Sequence, residues 1–371
     1  MLKRGALPAN VARAHGVLPD HVYEHALNGF AAVVPPGVLR NLQNDPNVAW
    51  IEPDQLYAAS GKPTPQPPSQ PAQTLPNGIV RIDAVLNQKF ASSPIDVDVA
   101  VIDTGIELSH PDLNVHKNVS FVRRVQTGND DNGHGTHVAG TVAALDNLIG
   151  VVGVAPGARL WAVKVLDRNG SGNLSDVIKG VDYVTANSAD IEVANLSLGG
   201  GNSLALNAAI ADSVAKGVVY VVAAGNSATN ASGSSPANSP DVICVSAMVD
   251  TNGKCFVDGG QGPSTSYGAD DTFATFSNYG SVVDIAAPGV NVLSTYTGQS
   301  YAVLSGTSMA SPHVAGAVAL YLASGSKPAT AVDVAVVRAT VIDVGFPQNG
   351  PCGFAGDPDG VAEPLLNASS L

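Results

Sequence analysis

The chain has 371 residues, of which 45% are apolar and only 13% charged, enough for one large packed domain with a smaller companion. A formal net charge of −13 without any basic run argues against nucleic acid and anionic membrane surfaces as partners. Three cysteines without metal-ligand spacing exclude a disulfide scaffold, and no apolar run is long enough to cross a bilayer.

Met1-Leu2-Lys3-Arg4 is followed by no apolar stretch of the kind an export signal needs. Residues 1 to 60 read as a small separate unit. Val22 to Val34 predicts strand, turn and strand, Pro36 to Asn44 a short helix, and Val48 to Asp54 a further strand. Gly61 to Pro71 is rich in Pro, Gln and Ser, a linker composition that cannot bury enough surface to fold. From Gln73 onward the pattern becomes α/β. Asp96 to Asp103 is an apolar run closed by a carboxylate, and similar runs recur at Arg159 to Leu166, Ile191 to Leu198 and Val218 to Ala224. Such runs suit strands buried on both faces. Helical stretches at Leu174 to Asn187 and Leu204 to Lys216 lie between them, which predicts a parallel sheet with helices on both faces. Functional groups then belong where strands end, and Asp103, Ser197 and Asn226 all stand there. Val242 to Met248 predicts another apolar strand, with Cys244 a buried free thiol.

The stretch Leu304 to Gly316 sets Ser308 between a glycine turn and an apolar helix whose first turn tolerates Pro312. A helix N-terminus favours developing negative charge, although Ser308 taken alone reads first as a helix cap. A serine hydroxyl needs an imidazole to take its proton and a carboxylate to orient that imidazole. Asn132 to Gly140 supplies His134 at a helix start between two glycines, and Val101 to Gly105 supplies Asp103. Asn226, leaving a strand in Ala223-Ala224-Gly225-Asn226, offers an amide to an oxyanion.

These three segments, in the order acid, histidine, serine with the asparagine between the last two, resemble the signatures of the subtilase family. The resemblance is closest to the subtilisin and proteinase K branches and covers nearly the whole chain. It implies the α/β subtilisin-like fold and a serine endopeptidase, with Asp103 the orienting acid, His134 the base, Ser308 the nucleophile and Asn226 an oxyanion donor supported by Thr307. The backbone N–H of Ser308 would be the second donor. Residues 1–60 resemble the family's inhibitory propeptide, with Met1 to Lys3 the end of its opening strand, so the true start and an export signal are expected upstream. Residues 61–75 become linker and mature N-terminal arm, 76–345 the peptidase domain and 346–371 a C-terminal extension. Polypeptide substrates would bind by strand addition between Gly170-Ser171-Gly172 and Ser197-Leu198-Gly199. A pocket walled by the latter edge and Ala223-Ala224-Gly225 carries no charge and implies large apolar residues before the cut.

The resemblance also implies structural calcium. Leu145 to Val151 matches a loop that gives the carbonyls of Leu145, Ile149 and Val151 and the side chain of Asn147, joined by Gln73 and Asp112. A second site would use the Pro240 and Val242 carbonyls with Asp284. His137, His110 and His313 read as packed core histidines, and Asp130 and Asp131 as solvated loop charges. The Thr251 to Thr275 loop is longer than its subtilisin counterpart, and Phe346 to Leu371 has no functional reading. Cys255 and Cys352, both in loops, could pair in an exported protein. The implied reading is a secreted, calcium-stabilised, monomeric protease held by its own propeptide as inhibitor and cut near Ser60-Gly61, with Tyr57 in the pocket four residues before the cut. The alternatives are an intracellular subtilase and a catalytically silent peptide-binding relative.

Overall fold

The computed structural model describes residues 1–59, 64–65, 70–92 and 94–371. The expected cut at Ser60-Gly61 and most of the linker lie outside the described residues. Thr64–Pro65 is nonetheless a short strand, paired with Ser300–Leu304.

The N-terminal unit has a Pro8–Ala14 helix, unanticipated from sequence, the antiparallel strands His21–Tyr23 and Gly29–Ala31, and a Pro36–Gln43 helix. Both helices open with proline in their first turn, where a missing N–H costs nothing. Its own core is only Leu2, Val11, Val17 and Leu42, whereas Tyr23, Ala26 and Leu27 join the main core. This unit therefore depends on the large domain for burial. The strand expected over Val48 to Asp54 is absent: Val48 makes one isolated bridge, to Leu2, and Pro53 has no N–H for a ladder. The strand forms instead at Leu56–Ala59.

The large domain is built on an eight-stranded sheet. Its order runs Thr272–Phe273, Ile243–Val249, Val219–Ala223, Val193–Leu196, Asp98–Asp103, Arg159–Lys164, Val115–Ser120, with Ile285–Pro288 also on Ile243–Val249. All pairings are parallel except that of Thr272–Phe273. Asp98–Asp103 and Val219–Ala223 are buried at every residue, as apolar runs between helix layers must be. The Leu174–Ala186 and Leu204–Val214 helices pack together, as do His134–Ala143 and Thr307–Leu322. The Thr307–Leu322 helix buries every residue but Tyr321, and it starts early enough that Pro312 falls beyond its first turn.

The long loop and the C-terminal extension form one annex. Cys255 and Cys352 are joined in a disulfide, and Met248, Phe273, Ala286, Phe354 and Leu365 form a small second core. Buried Arg81, the last residue of the Asn77–Arg81 helix, ties that helix to the annex through Asp271 at 2.7 Å and the carbonyls of Cys352 and Gly353. Cys244 is a buried free thiol, as expected.

Candidate active site

Asp103 is the last residue of its strand, and its carboxylate, wholly buried, meets His134 Nδ1 at 2.8 and 3.0 Å. His134 opens its helix. The approach is close because Gly135 has no side chain: a Cβ there would lie 2.1 Å from the Gly105 carbonyl oxygen and 3.1 Å from the Asp103 Cβ. With a carboxylate on Nδ1, the imidazole holds its proton there and presents Nε2 as the basic nitrogen. Asp130 organises this corner and is buried, contrary to its expected solvated role. Its Oδ1 accepts from Thr104 Oγ1, Asn132 N and Gly133 N at 2.9 Å each, and its Oδ2 from Thr136 N and Oγ1 at 2.9 and 2.6 Å. A charged loop in sequence is thus a cap for the histidine helix. Asp131, half exposed, pairs at 2.6 Å with the fully buried Lys164. His137 lies in the core, donating to the Val292 and Ala302 carbonyls at 3.0 and 3.1 Å, and burial pushes its pKa down to about 3. His110 and His313 are likewise buried and bonded to backbone carbonyls.

Ser308 is the second residue of its helix, which packs on the His134 helix. Its Oγ donates to the Ser197 carbonyl at 3.0 Å. Asn226, just past Val219–Ala223, accepts through Oδ1 from Thr307 N at 2.8 Å and Thr307 Oγ1 at 2.9 Å. Those two bonds fix the amide with its nitrogen turned away from Thr307, so Thr307 does orient Asn226. The cleft holds the chain's own Leu56–Ala59 as the central strand between Leu198–Gly201 and Ser171–Asn173, antiparallel to both. Ala59 N also donates to the Gly170 carbonyl at 2.9 Å. Tyr57 is fully buried over Gly200, where a Cβ would come within 2.7 Å of its ring, and its hydroxyl donates to the Gly201 carbonyl at 2.7 Å. Ala223, Ala224, Gly225 and Asn226 line a cavity of about 360 Å³ beside this strand, bounded by Leu198 and Gly199, with no charged residue in its wall.

Residues 95–345 match the model of the subtilase family. The chain belongs to the subtilase family. Residues 6–60 match the peptidase inhibitor I9 model. Among relatives, subtilisin E of Bacillus subtilis is 41% identical over 301 residues, spanning 80% of this chain and 71% of that protein. Subtilisin Savinase of Lederbergia lenta is 46% identical over 250 residues, 67% of this chain and 84% of its own length. A solved cold-adapted subtilisin-like serine proteinase superposes with a TM-score of 0.60 at 35% identity, covering 73% of this chain and 88% of the other. The subtilase is therefore a serine endopeptidase of subtilisin-like fold, made as a precursor, with its own propeptide as inhibitor and peptides as substrates. Among the described residues no helix is long and apolar enough to cross a membrane.

The propeptide's anchors escaped the sequence reading. Glu52 accepts from Ala205 N at 3.0 Å, and Asp54 from Ser175 N and Oγ at 3.0 and 2.7 Å, so each caps an enzyme helix. Asp182 returns the contact by accepting the amides of Glu24, His25 and Ala26 at 3.3, 2.7 and 2.8 Å. An acid preceding a proline and one following it was the only signal for the first two.

The first expected calcium loop fits a hard cation. Asp112 is wholly buried and burial pushes its carboxyl up to about 6. Asn147 Nδ2 reaches its Oδ1 at 3.0 Å, and Val151 N its Oδ2 at 3.1 Å. Gln73 Oε1 accepts from Asn147 N and Leu148 N at 2.8 Å. Among the described residues the carbonyls of Leu145, Ile149 and Val151 accept no hydrogen bond. A buried carboxylate, two amides and three carbonyls are an all-oxygen set. The second expected site does not fit and is corrected: Arg338 donates Nη1 to the Pro240 carbonyl at 3.3 Å and Nη2 to Asp284 Oδ1, while Cys244 N holds Oδ2 at 2.9 Å. A guanidinium thus engages Pro240 and Asp284, two of the three groups that with Val242 would have held a metal ion.

Proposed function

We propose that Asp103, His134 and Ser308 are the catalytic triad of a secreted, monomeric endopeptidase, with Asn226 and the Ser308 amide as oxyanion donors. The observation that carries this reading is the Leu56–Ala59 strand, antiparallel between two enzyme edges, one of them continuous with the Ser197 carbonyl that receives Ser308 Oγ. A substrate lying as this strand lies would be fixed by main-chain bonds, and specificity would be broad. His134 takes the Ser308 proton as Oγ attacks the scissile carbonyl. The oxygen then gains negative charge at the positive end of a helix, with the Asn226 amide beside it. Collapse expels the amine, protonated by His134, and leaves an acyl-enzyme that water hydrolyses by the same steps reversed.

The propeptide is proposed to span residues 1–60 and the peptidase 76–345, with 61–75 the arm and 346–371 the extension. Gly170, Ser171, Gly172, Ser197, Leu198 and Gly199 form the two edges, and Ala223 to Gly225 the pocket wall. Gln73, Asp112, Leu145, Asn147, Ile149 and Val151 would hold calcium, which when bound neutralises the buried carboxylate and ties arm to loop. Ser308→Ala should abolish peptide hydrolysis and labelling by a fluorophosphonate, and leave the precursor uncut. Processing or labelling that survives the substitution would place the nucleophile elsewhere.

A further inference from the structure

Pro312 is the sixth residue of the Ser308 helix and has no N–H. In regular α-helix that N–H would donate to the carbonyl four residues earlier, and that carbonyl belongs to Ser308. Proline thus removes the regular four-residue helix bond to the Ser308 carbonyl, inside a segment buried from Thr307 to Leu320. The structure supplies a substitute from outside the helix: Ser197 Oγ donates to the Ser308 carbonyl at 2.8 Å. Ser197 is itself oriented, since Asn195 Nδ2 donates to its Oγ at 2.9 Å. Asn195 in turn accepts through Oδ1 from Ser311 Oγ at 2.7 Å, and Ser311 immediately precedes the proline. The relay leaves the helix at Ser308 and returns to it at Ser311. Ser197 also presents its own carbonyl to Ser308 Oγ, so one residue holds the nucleophile's backbone with its side chain and the nucleophile's hydroxyl with its backbone.

We propose that Ser197 is a positioning residue, whose hydroxyl takes the place of the amide missing at Pro312 and fixes the Ser308 turn against the sheet. This rests on the reading of Ser308 as nucleophile. The substitute donor comes from the residue just before the substrate-edge strand that begins at Leu198.

The test is a cycle of Ser197→Ala, Pro312→Ala and the double variant. Ser197→Ala keeps the main chain that binds substrate but removes the buried bond that Ser197 Oγ gives the Ser308 carbonyl. It should lower kcat about ten- to a hundredfold with KM within about twofold, the fold equivalent of losing a buried hydrogen bond. Pro312→Ala restores an N–H four residues after Ser308, so the double variant should recover most of the lost kcat. A merely structural role would lower melting temperature without that recovery. Unchanged kcat in Ser197→Ala overturns the proposal, as does a double variant no better than Ser197→Ala. Should Ser197→Ala yield no folded enzyme, the double variant must fold and mature, and its failure likewise overturns it. Fluorophosphonate labelling of Ser308 in the parent enzyme tests the underlying nucleophile assignment separately.

Discussion

Glu363 gives the annex a weakness toward alkali that can be removed by one substitution. Its side chain comes from the C-terminal extension, is 3% exposed, and accepts from Ser246 Oγ at 2.8 Å in the Ile243–Val249 strand. Burial, helped by Asp357 and Asp359, pushes the carboxyl up from 4.5 to about 8. The folded chain therefore keeps a proton that the unfolded chain releases. Below the unfolded value both states are protonated and nothing depends on pH. Between 4.5 and 8 unfolding releases a proton, and stability falls by about 1.4 kcal/mol per pH unit. Across that window the loss reaches about 5 kcal/mol, complete once pH passes the folded value. Glu363→Gln keeps an oxygen for Ser246 and can never ionise. It should match the parent at pH 5 and exceed it at pH 9 by several kcal/mol, read by urea unfolding in a Ser308→Ala background so that autolysis does not intervene. A stability difference between parent and variant that is equal at the two pH values would refute the reasoning.

Two further outcomes follow from the active site and the calcium loop. Asn226→Leu should lower kcat about 10²–10³-fold with KM little changed, a magnitude established on subtilisin's own oxyanion asparagine and transferred here by homology, and peptide-nitroanilide kinetics will read it. Chelation should lower the melting temperature of the mature enzyme, since a ligand at a hundredfold excess over its Kd adds about 2.7 kcal/mol. Asp112→Ala should remove that response, and equilibrium dialysis should find calcium binding at the Asp112 loop and none at Asp284, because Arg338 already neutralises it. Coincident melting curves with and without chelator would empty the first site of its role.

Strand interiors were legible because a strand buried on both faces must be apolar throughout, and the Asp98–Asp103 and Val219–Ala223 strands are. The segments of the proposed triad were legible because each carries its own short pattern, as with Gly135 beside His134, where a side chain would meet the Gly105 carbonyl. What escaped was decided by partners far away in sequence. Asp130 looks solvated until Thr104, 26 residues earlier, and the turn of the histidine helix close over it. Val48 to Asp54 has strand composition, but the open edges that accept a strand lie where Leu56–Ala59 passes between Ser171–Asn173 and Leu198–Gly201.

The two calcium expectations show the same division more sharply. At the first loop the proposed donors cluster within Leu145 to Val151, so a pattern in one segment carries most of the proposed site, and Gln73 and Asp112, bonded to Asn147, would complete it. At the second, the oxygen donors near Pro240 and Asp284 were also present in sequence, yet the charge they needed arrives as Arg338, 54 residues beyond Asp284, on a separate helix. A list of oxygen donors specifies where negative charge will be buried. It does not specify which cation answers that charge, and a guanidinium costs the enzyme no dependence on dissolved metal. Ser197 and Pro312 are the converse case. Counting four residues back from the proline points to Ser308 in the sequence alone, while the hydroxyl that answers the missing amide becomes visible only when the strand end meets the helix.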